Sequence, residues 1–310
     1  MTVTRALQKP GALVLAALSS SLTLFAGSSD SVEQASGYLD VAGSKIYYEE
    51  RGSGPAIVLL HDGLLHSVTW DEVWQPLAAR FRVIRYDRRG YGRSDPATSS
   101  FSPAEDLAKL FKHLKVEHAV IVGSSSGGAL AIDFAIVHPE MVDGLFLIGP
   151  VVHGMEYSAE FRERANRNNE PMERDDVKAW ARNWSQDKFL VAGANEKARQ
   201  KIYDELVAIA EKLKKYDGAL EEKLSPPANR RLGEVKVATL ILVGDGDIAD
   251  VHTHVRAINS GIKGSERVVM KDAGHLIQLE KPEEIVQRVK QLLIAMPKEA
   301  VESARDPARR

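Results

Sequence analysis

The sequence predicts an α/β fold: a mostly parallel twisted sheet with flanking helices and one inserted helical segment. Three observations carry it. Short apolar, often β-branched runs alternate with helical stretches at residues 57–60, 82–86, 119–122, 145–148, 239–243 and 267–270, the rhythm of strands joined by helical crossovers. That rhythm stops between Pro150 and about Lys236, where the chain turns helical and charged. The candidate reactive residues all fall just past strand ends, where the loops of an open parallel sheet gather into a site.

At 310 residues, 44% apolar and 27% charged, the chain is long enough for one large domain with an insertion. A net charge of -2 gives no broad basic field, so neither nucleic acid nor an anionic membrane surface is an expected partner. The absence of cysteine excludes disulfides, thiolate chemistry and cysteine-bound zinc, and is compatible with export. Arg5 and Lys9 precede an apolar stretch from Gly11 to Ala26, so residues 1–26 are expected to be a secretory signal rather than a membrane span of about 20 apolar residues. Leu24 stands where a small residue is preferred before cleavage, which leaves an uncleaved anchor or a different start codon as alternatives. Residues 27–36 are expected to be a polar linker. A cleaved leader implies a periplasmic or secreted protein with no stable membrane association; an uncleaved one implies a cytoplasmic or membrane-anchored protein.

From Gly37, two alternating runs, Tyr38-Leu39-Asp40-Val41 and Lys45-Ile46-Tyr47-Tyr48-Glu49, flank Ala42-Gly43-Ser44 and predict a β-hairpin. It opens a catalytic domain expected at 37–150 and 237–296. The next apolar run ends in His61-Asp62-Gly63-Leu64, and the one after it leads into Tyr86-Asp87-Arg88-Arg89-Gly90-Tyr91-Gly92-Arg93-Ser94. Residues 119–122 run into Gly123-Ser124-Ser125-Ser126-Gly127, ahead of a helical stretch. This pattern marks a nucleophile elbow, in which a sharp turn exposes the central side chain and neighbouring backbone tolerates only small residues two positions away. Of the three serines only Ser125 has glycine on both sides at that spacing. A flexible Gly/Ser loop, or a phosphate-cradling loop at a helix N-terminus, is the alternative reading.

The insertion, 151–236, carries Tyr157, Phe161, Trp180, Trp184 and Phe189. They read either as pocket walls or as the insertion's own core. The apolar run after it ends in Gly244-Asp245-Gly246-Asp247, and the last run is followed by Asp272-Ala273-Gly274-His275 and a helix beginning near Pro282. Residues 297–310 form a charged tail.

A serine hydroxyl needs a base and an acid to orient it, in the chain order Ser, Asp or Glu, His. His275 is the base candidate among nine histidines. His113, His118 and His138 lie in or beside amphipathic stretches and read as surface residues. His252 and His254, two apart, do not face the same way on a helix, so no metal site is expected. Asp247 is the preferred acid, over Asp245, which suits a turn, and Asp250, which suits a helix cap. The backbone N–H groups of Gly63 and Ser126 are the candidates to hold an oxyanion.

In this order the motifs resemble the α/β-hydrolase superfamily, over most of the chain after about Gly37. The segment from Asp87 to Ser94 looks like that family's Asp-x-Arg-Gly-x-Gly-x-Ser turn. Gly274-His275, followed by Leu279-Glu280-Lys281-Pro282-Glu283, resembles the segment that commonly carries the family's catalytic histidine. The resemblance implies that 151–236 is a cap roofing the site, that no cofactor is required, and that the substrate is a small carboxylic ester or lactone, as in the esterase and enol-lactonase branch. Members that open epoxides or displace halide use a carboxylate nucleophile, so a serine disfavours both activities. Carbon-carbon bond hydrolysis, haloperoxidase-like side activity, lipase activity and a small-molecule receptor with slow or no turnover are the alternatives. One position departs from the family: His-Gly at the oxyanion loop is here His61-Asp62. A carboxylate aimed at an oxyanion opposes its charge, so Asp62 is expected to be a turn residue bound to backbone.

Overall fold

The computed structural model describes residues 34–295. The expected leader, the charged tail and most of the linker lie outside them. Eight strands form one sheet in the order β1-β2-β4-β3-β5-β6-β7-β8. They are β1 (Gln34–Val41), β2 (Ser44–Arg51), β3 (Ala56–Leu60), β4 (Arg82–Tyr86), β5 (Ala119–Ser124), β6 (Val142–Ile148), β7 (Ala238–Gly244) and β8 (Glu266–Met270). β1, β2 and β4 pair antiparallel, and from β4 to β8 every pairing is parallel. The hairpin is longer than its alternation indicated. Gln34, Ala35 and Ser36, assigned from sequence to the linker, pair with Arg51, Glu50 and Glu49, because the ladder needs only their backbone groups and not an apolar face.

Helices cover both faces of the sheet. Helix α1 (Asp71–Ala78) and the final helix α9 (Pro282–Ala295) bury Val73, Trp74, Leu77, Ile285 and Val289 against one face. Helices α2 (Pro103–Leu114), α3 (Ser126–Val137) and α7 (Ala249–Gly261) bury Leu107, Phe111, Phe134, Val255 and Ile258 against the other. Helix α3 is buried from Gly127 to Ile136, with Asp133 as the one charged residue of that stretch, so it packs on every side. A short helix, α8 (Ile277–Glu280), precedes α9.

Between β6 and β7 lie α4 (Ala159–Glu173), α5 (Val177–Ser185) and α6 (Glu196–Leu213). Each starts at a capping side chain: Ser158, Asp176 and Asn195 accept hydrogen bonds from the N–H groups of Phe161, Ala179 and Ala198, satisfying donors that a helix start leaves open. Trp180, Trp184, Ile202 and Leu206 pack with Leu65, Leu276 and Leu279, so the core of the insertion is shared with the loops after β3 and β8. Buried Arg164 makes a bidentate contact with Asp187 at 2.8 and 3.1 Å, tying α4 to the segment after α5.

A three-residue ionic link joins the insertion to the sheet. His66 Nδ1 lies 3.3 Å from Asp87 Oδ1, and Nε2 lies 3.3 Å from Glu205 Oε2 on α6. Burial opposes charge on this ring, but hydrogen bonds and charge from the two carboxylates outweigh it and push His66 up to about 9. A folded-state pKa above the unfolded value of ~6.5 contributes stability that is fully present below pH ~6.5. That contribution is lost as pH rises through the folded value of about 9. His66→Gln is therefore expected to lower the unfolding free energy by up to ~3 kcal/mol at pH 6 and by much less at pH 10. Urea unfolding of both proteins at the two pH values checks it; equal losses would show that the charge plays no part.

Candidate active site

Ser125 joins β5 to α3 with φ 53° and ψ -116°, a conformation an L-residue adopts only when its surroundings hold it there. Its N–H donates to the Ile148 carbonyl at 2.9 Å, and its own carbonyl accepts from Gly128 N–H at 2.9 Å. The flanking glycines have a steric reason. A Cβ on Gly123 would lie 2.5 Å from the Gly127 oxygen, and a Cβ on Gly127 would lie 2.4 Å from the Leu60 oxygen and 2.5 Å from that of His61. Both obstacles on the Gly127 side are backbone atoms of β3 and its loop, which cannot swing aside. Gly127→Ala is expected to destabilise the protein by about 1–3 kcal/mol, lowering Tm by ~3–10 °C. An unchanged Tm in a calorimetric scan would mean that the end of β3 yields freely.

Asp247 and His275, 28 residues apart, meet because the ends of β7 and β8 converge: His275 Nδ1 lies 2.8 Å from Asp247 Oδ2. The close approach needs Gly244, where a Cβ would sit 2.2 Å from the carbonyl oxygens of Ala273 and Gly274. The second Asp247 oxygen accepts from Ile248 N–H at 2.7 Å, which fixes the carboxylate plane. The insertion holds the other side, with His275 N–H and Leu276 N–H donating to the carbonyls of Phe189 and Leu190 at 2.8 and 3.0 Å. Burial disfavours protonation of His275, but the charge and hydrogen bond of Asp247 prevail and raise its pKa above the ordinary histidine value.

The loop after β3 is held by groups that the sequence did not reveal. Arg88 N–H donates to His61 Nε2 at 3.0 Å, which leaves Nδ1 to carry the proton and donate to the Asp62 carbonyl at 2.7 Å. Burial and the Arg88 charge push His61 well below the usual histidine range, so this ring stays neutral. Arg88 Nη2 donates to the same carbonyl at 2.8 Å and to Ser126 Oγ at 2.9 Å. In a trans peptide the C=O and the following N–H point in opposite directions. Pinning the Asp62 carbonyl to Arg88 and His61 therefore turns the Gly63 N–H the other way. Ser126 opens α3, where N–H groups lie outside the intrahelical ladder.

Ser125, Ser126, Gly63, Asp247 and His275 all border one cavity of about 520 Å³. Its remaining wall is mostly apolar and comes largely from the insertion. Tyr157, Phe161, Trp180 and Trp184 line it, whereas Phe189 does not. Trp180 and Trp184 also belong to the core of the insertion, so for them both sequence readings apply at once. Their indole N–H groups both donate to Asn169 Oδ1, at 3.0 and 2.8 Å. That fixes the amide orientation and leaves its NH₂ as a donor at the cavity.

The competing residues have other duties. Asp245 accepts from Ala273 N–H at 3.3 Å, joining the loops after β7 and β8. Asp250 is not the cap of its own helix, whose N-cap is Ile248; it receives Ser158 N–H and Oγ at 2.6 and 2.7 Å and holds the start of α4. His254 is buried, accepting from Val152 N–H at 3.0 Å. His113 is exposed, and His118 and His138 are half-buried. Asp62 does bind backbone: Oδ1 accepts from Leu64 and Leu65 N–H, both at 2.8 Å. Among the described residues no cluster of three or more His, Cys, Asp or Glu is disposed to hold a metal ion.

This fold and this arrangement belong to one family. The chain is a member of the α/β-hydrolase family, whose model, described as alpha/beta hydrolase fold, matches residues 55–282. An uncharacterized protein of Mycobacterium tuberculosis is 40% identical over 111 residues, 35% of this chain, but the match spans only 33% of that protein. A 2-hydroxy-6-oxo-6-phenylhexa-2,4-dienoate hydrolase of Comamonas testosteroni is 28% identical over 79% of this chain and 90% of its own length. Among solved structures, a thermophilic esterase from Thermogutta terrifontis is 26% identical with a TM-score of 0.71, over 87% of this chain and 99% of its own. Est816, described as an N-acyl homoserine lactone degrading enzyme, is 25% identical with a TM-score of 0.66, over 82% and 99%.

Proposed function

We propose that the protein is a serine hydrolase that cleaves small carboxylic esters or lactones through an acyl-enzyme. The observation that carries this reading is Ser125, held at positive φ on the wall of the cavity that His275 also faces, with the histidine ring hydrogen-bonded to Asp247. Ser125 Oγ attacks the substrate carbonyl while His275 Nε2 takes its proton; Asp247 keeps the other ring proton on Nδ1 and stabilises the imidazolium. The N–H groups of Gly63 and Ser126 hold the negative oxygen of the tetrahedral intermediate, each contributing ~3 kcal/mol to the transition state. His275 then gives its proton to the leaving alkoxide, and water enters by the same route in reverse to release the acid. The helices of the insertion act as a cap whose aromatic wall takes the apolar part of the substrate. An esterase and a lactone-degrading enzyme among the structural relatives support the substrate class.

The dienoate hydrolase relative favours carbon-carbon bond cleavage as the second reading. A carboxylate-bearing substrate needs a cation in the cavity. Arg164 and Lys214 border it, but Arg164 is spent on Asp187 and Lys214 on Asp175 and Glu211, so the ester or lactone reading is preferred. The test is p-nitrophenyl acetate and butyrate hydrolysis together with covalent labelling by a fluorophosphonate. Multiple turnovers and one label, on the Ser125 peptide, are expected. No turnover and no label would leave a non-catalytic binding role.

A further inference from the structure

The loop that departs from the family pattern also carries an unexplained buried charge. Asp62 is 1% exposed and borders the cavity, and while Oδ1 accepts from two backbone N–H groups, Oδ2 has no hydrogen-bond partner among the described residues. A buried carboxylate oxygen without a donor is costly and calls for a partner that arrives from elsewhere. The side chains that feel its charge, His275 and Tyr91, both border the same cavity. Asp62 immediately precedes Gly63, whose N–H is turned away from the pinned Asp62 carbonyl. The unpartnered carboxylate is thus one residue from the N–H proposed to hold the oxyanion, in the wall of the same cavity.

We infer that Asp62 is a specificity-determining residue that accepts a hydrogen bond from an O–H or N–H on the carbon next to the reacting carbonyl, so that the preferred substrates are α-hydroxy or α-amino (including α-acylamino) esters and lactones. This rests on the serine-hydrolase reading and narrows it. The physical reason is charge. Without a donor between them, the carboxylate and the developing oxyanion repel each other; with one, the donor's hydrogen satisfies Oδ2 and draws the carbonyl into register. Substrates lacking the donor leave the oxygen unpaired, and a site built for a hydrogen bond rejects such analogues strongly.

The experiment compares kcat/KM for α-hydroxy-γ-butyrolactone, α-methoxy-γ-butyrolactone and γ-butyrolactone in the full protein and in Asp62→Asn. The methoxy compound keeps the electron-withdrawing oxygen and lacks the donor. Asparagine keeps an oxygen for the Leu64 and Leu65 N–H groups and replaces Oδ2 by a donor. The wild type is expected to prefer the hydroxy over the methoxy lactone by about 10- to 100-fold, as hydrogen bonds to charged groups do, and Asp62→Asn to bring that ratio close to one. Turnover without preference in the wild type overturns the inference while the hydrolase reading stands, and needs no variant to fold. A preference that survives Asp62→Asn also overturns it, because another group then reads the donor. If none of the lactones turns over and a fluorophosphonate leaves Ser125 unlabelled, both the inference and the hydrolase reading fall.

Discussion

Ser125→Ala is expected to lower kcat for p-nitrophenyl butyrate by about 10⁶-fold with little change in KM, and His275→Ala by about as much. The two losses share one cause. Alanine at 125 removes the oxygen that forms the acyl-enzyme, and alanine at 275 leaves that oxygen protonated and a weak nucleophile at neutral pH. The apolar wall of the insertion and the N–H groups of Gly63 and Ser126 remain in both, so binding persists with a small residual rate. Because the groups act as a unit, the double variant is expected to be no slower than either single one. Three kcat values check this, with Tm measured alongside. Losses that multiply in the double variant would mean that the two side chains work separately, contrary to the mechanism.

Where residues are neighbours in sequence, the fold was legible. Alternating apolar runs located all eight strands, because burial on both faces of a parallel sheet demands continuous β-branched stretches such as Ala238–Gly244. One of the glycines around Ser125 was legible for the same local reason: the turn itself brings Gly123 against the Gly127 carbonyl. Order along the chain nominated Asp247 and His275, and their side chains meet at 2.8 Å. What was not legible depends on partners far apart in sequence. Arg88 occupies a variable position of its motif, and nothing nearby signals that it reaches Asp62 and Ser126. Glu205 is one charge among many on α6, yet it closes the link to His66 across 139 residues. Trp180 and Trp184 presented the reverse difficulty: core and pocket wall read as alternatives from sequence, and only their packing with Asn169 and the cavity shows that one ring can be both.

Asp247→Asn is expected to lower kcat by about 10⁴-fold while leaving the fold intact. The carboxylate accepts from the Nδ1 proton of His275 with one oxygen and from Ile248 N–H with the other. Asparagine can keep the Ile248 contact with its oxygen, which turns its NH₂ toward Nδ1. Nδ1 must then act as the acceptor, the ring proton moves to Nε2, and the nitrogen proposed to deprotonate Ser125 can no longer take a proton. The pH profile reports the same change independently. Activity needs neutral His275, so kcat/KM rises with pH through its ionisation. In the wild type Asp247 holds that ionisation above the ordinary value despite burial, placing the acid limb above pH ~6.5. With the carboxylate gone burial is left largely unopposed, so the limb of the residual activity is expected to move to lower pH. Asp245→Asn, whose partner is the Ala273 N–H past the end of β8, is expected to leave the limb in place and kcat within about tenfold, since an amide oxygen can keep that hydrogen bond and no charge in contact with the histidine is lost. If Asp245→Asn rather than Asp247→Asn shifts the limb, the orienting acid is Asp245 and the 2.8 Å contact at His275 has no catalytic meaning.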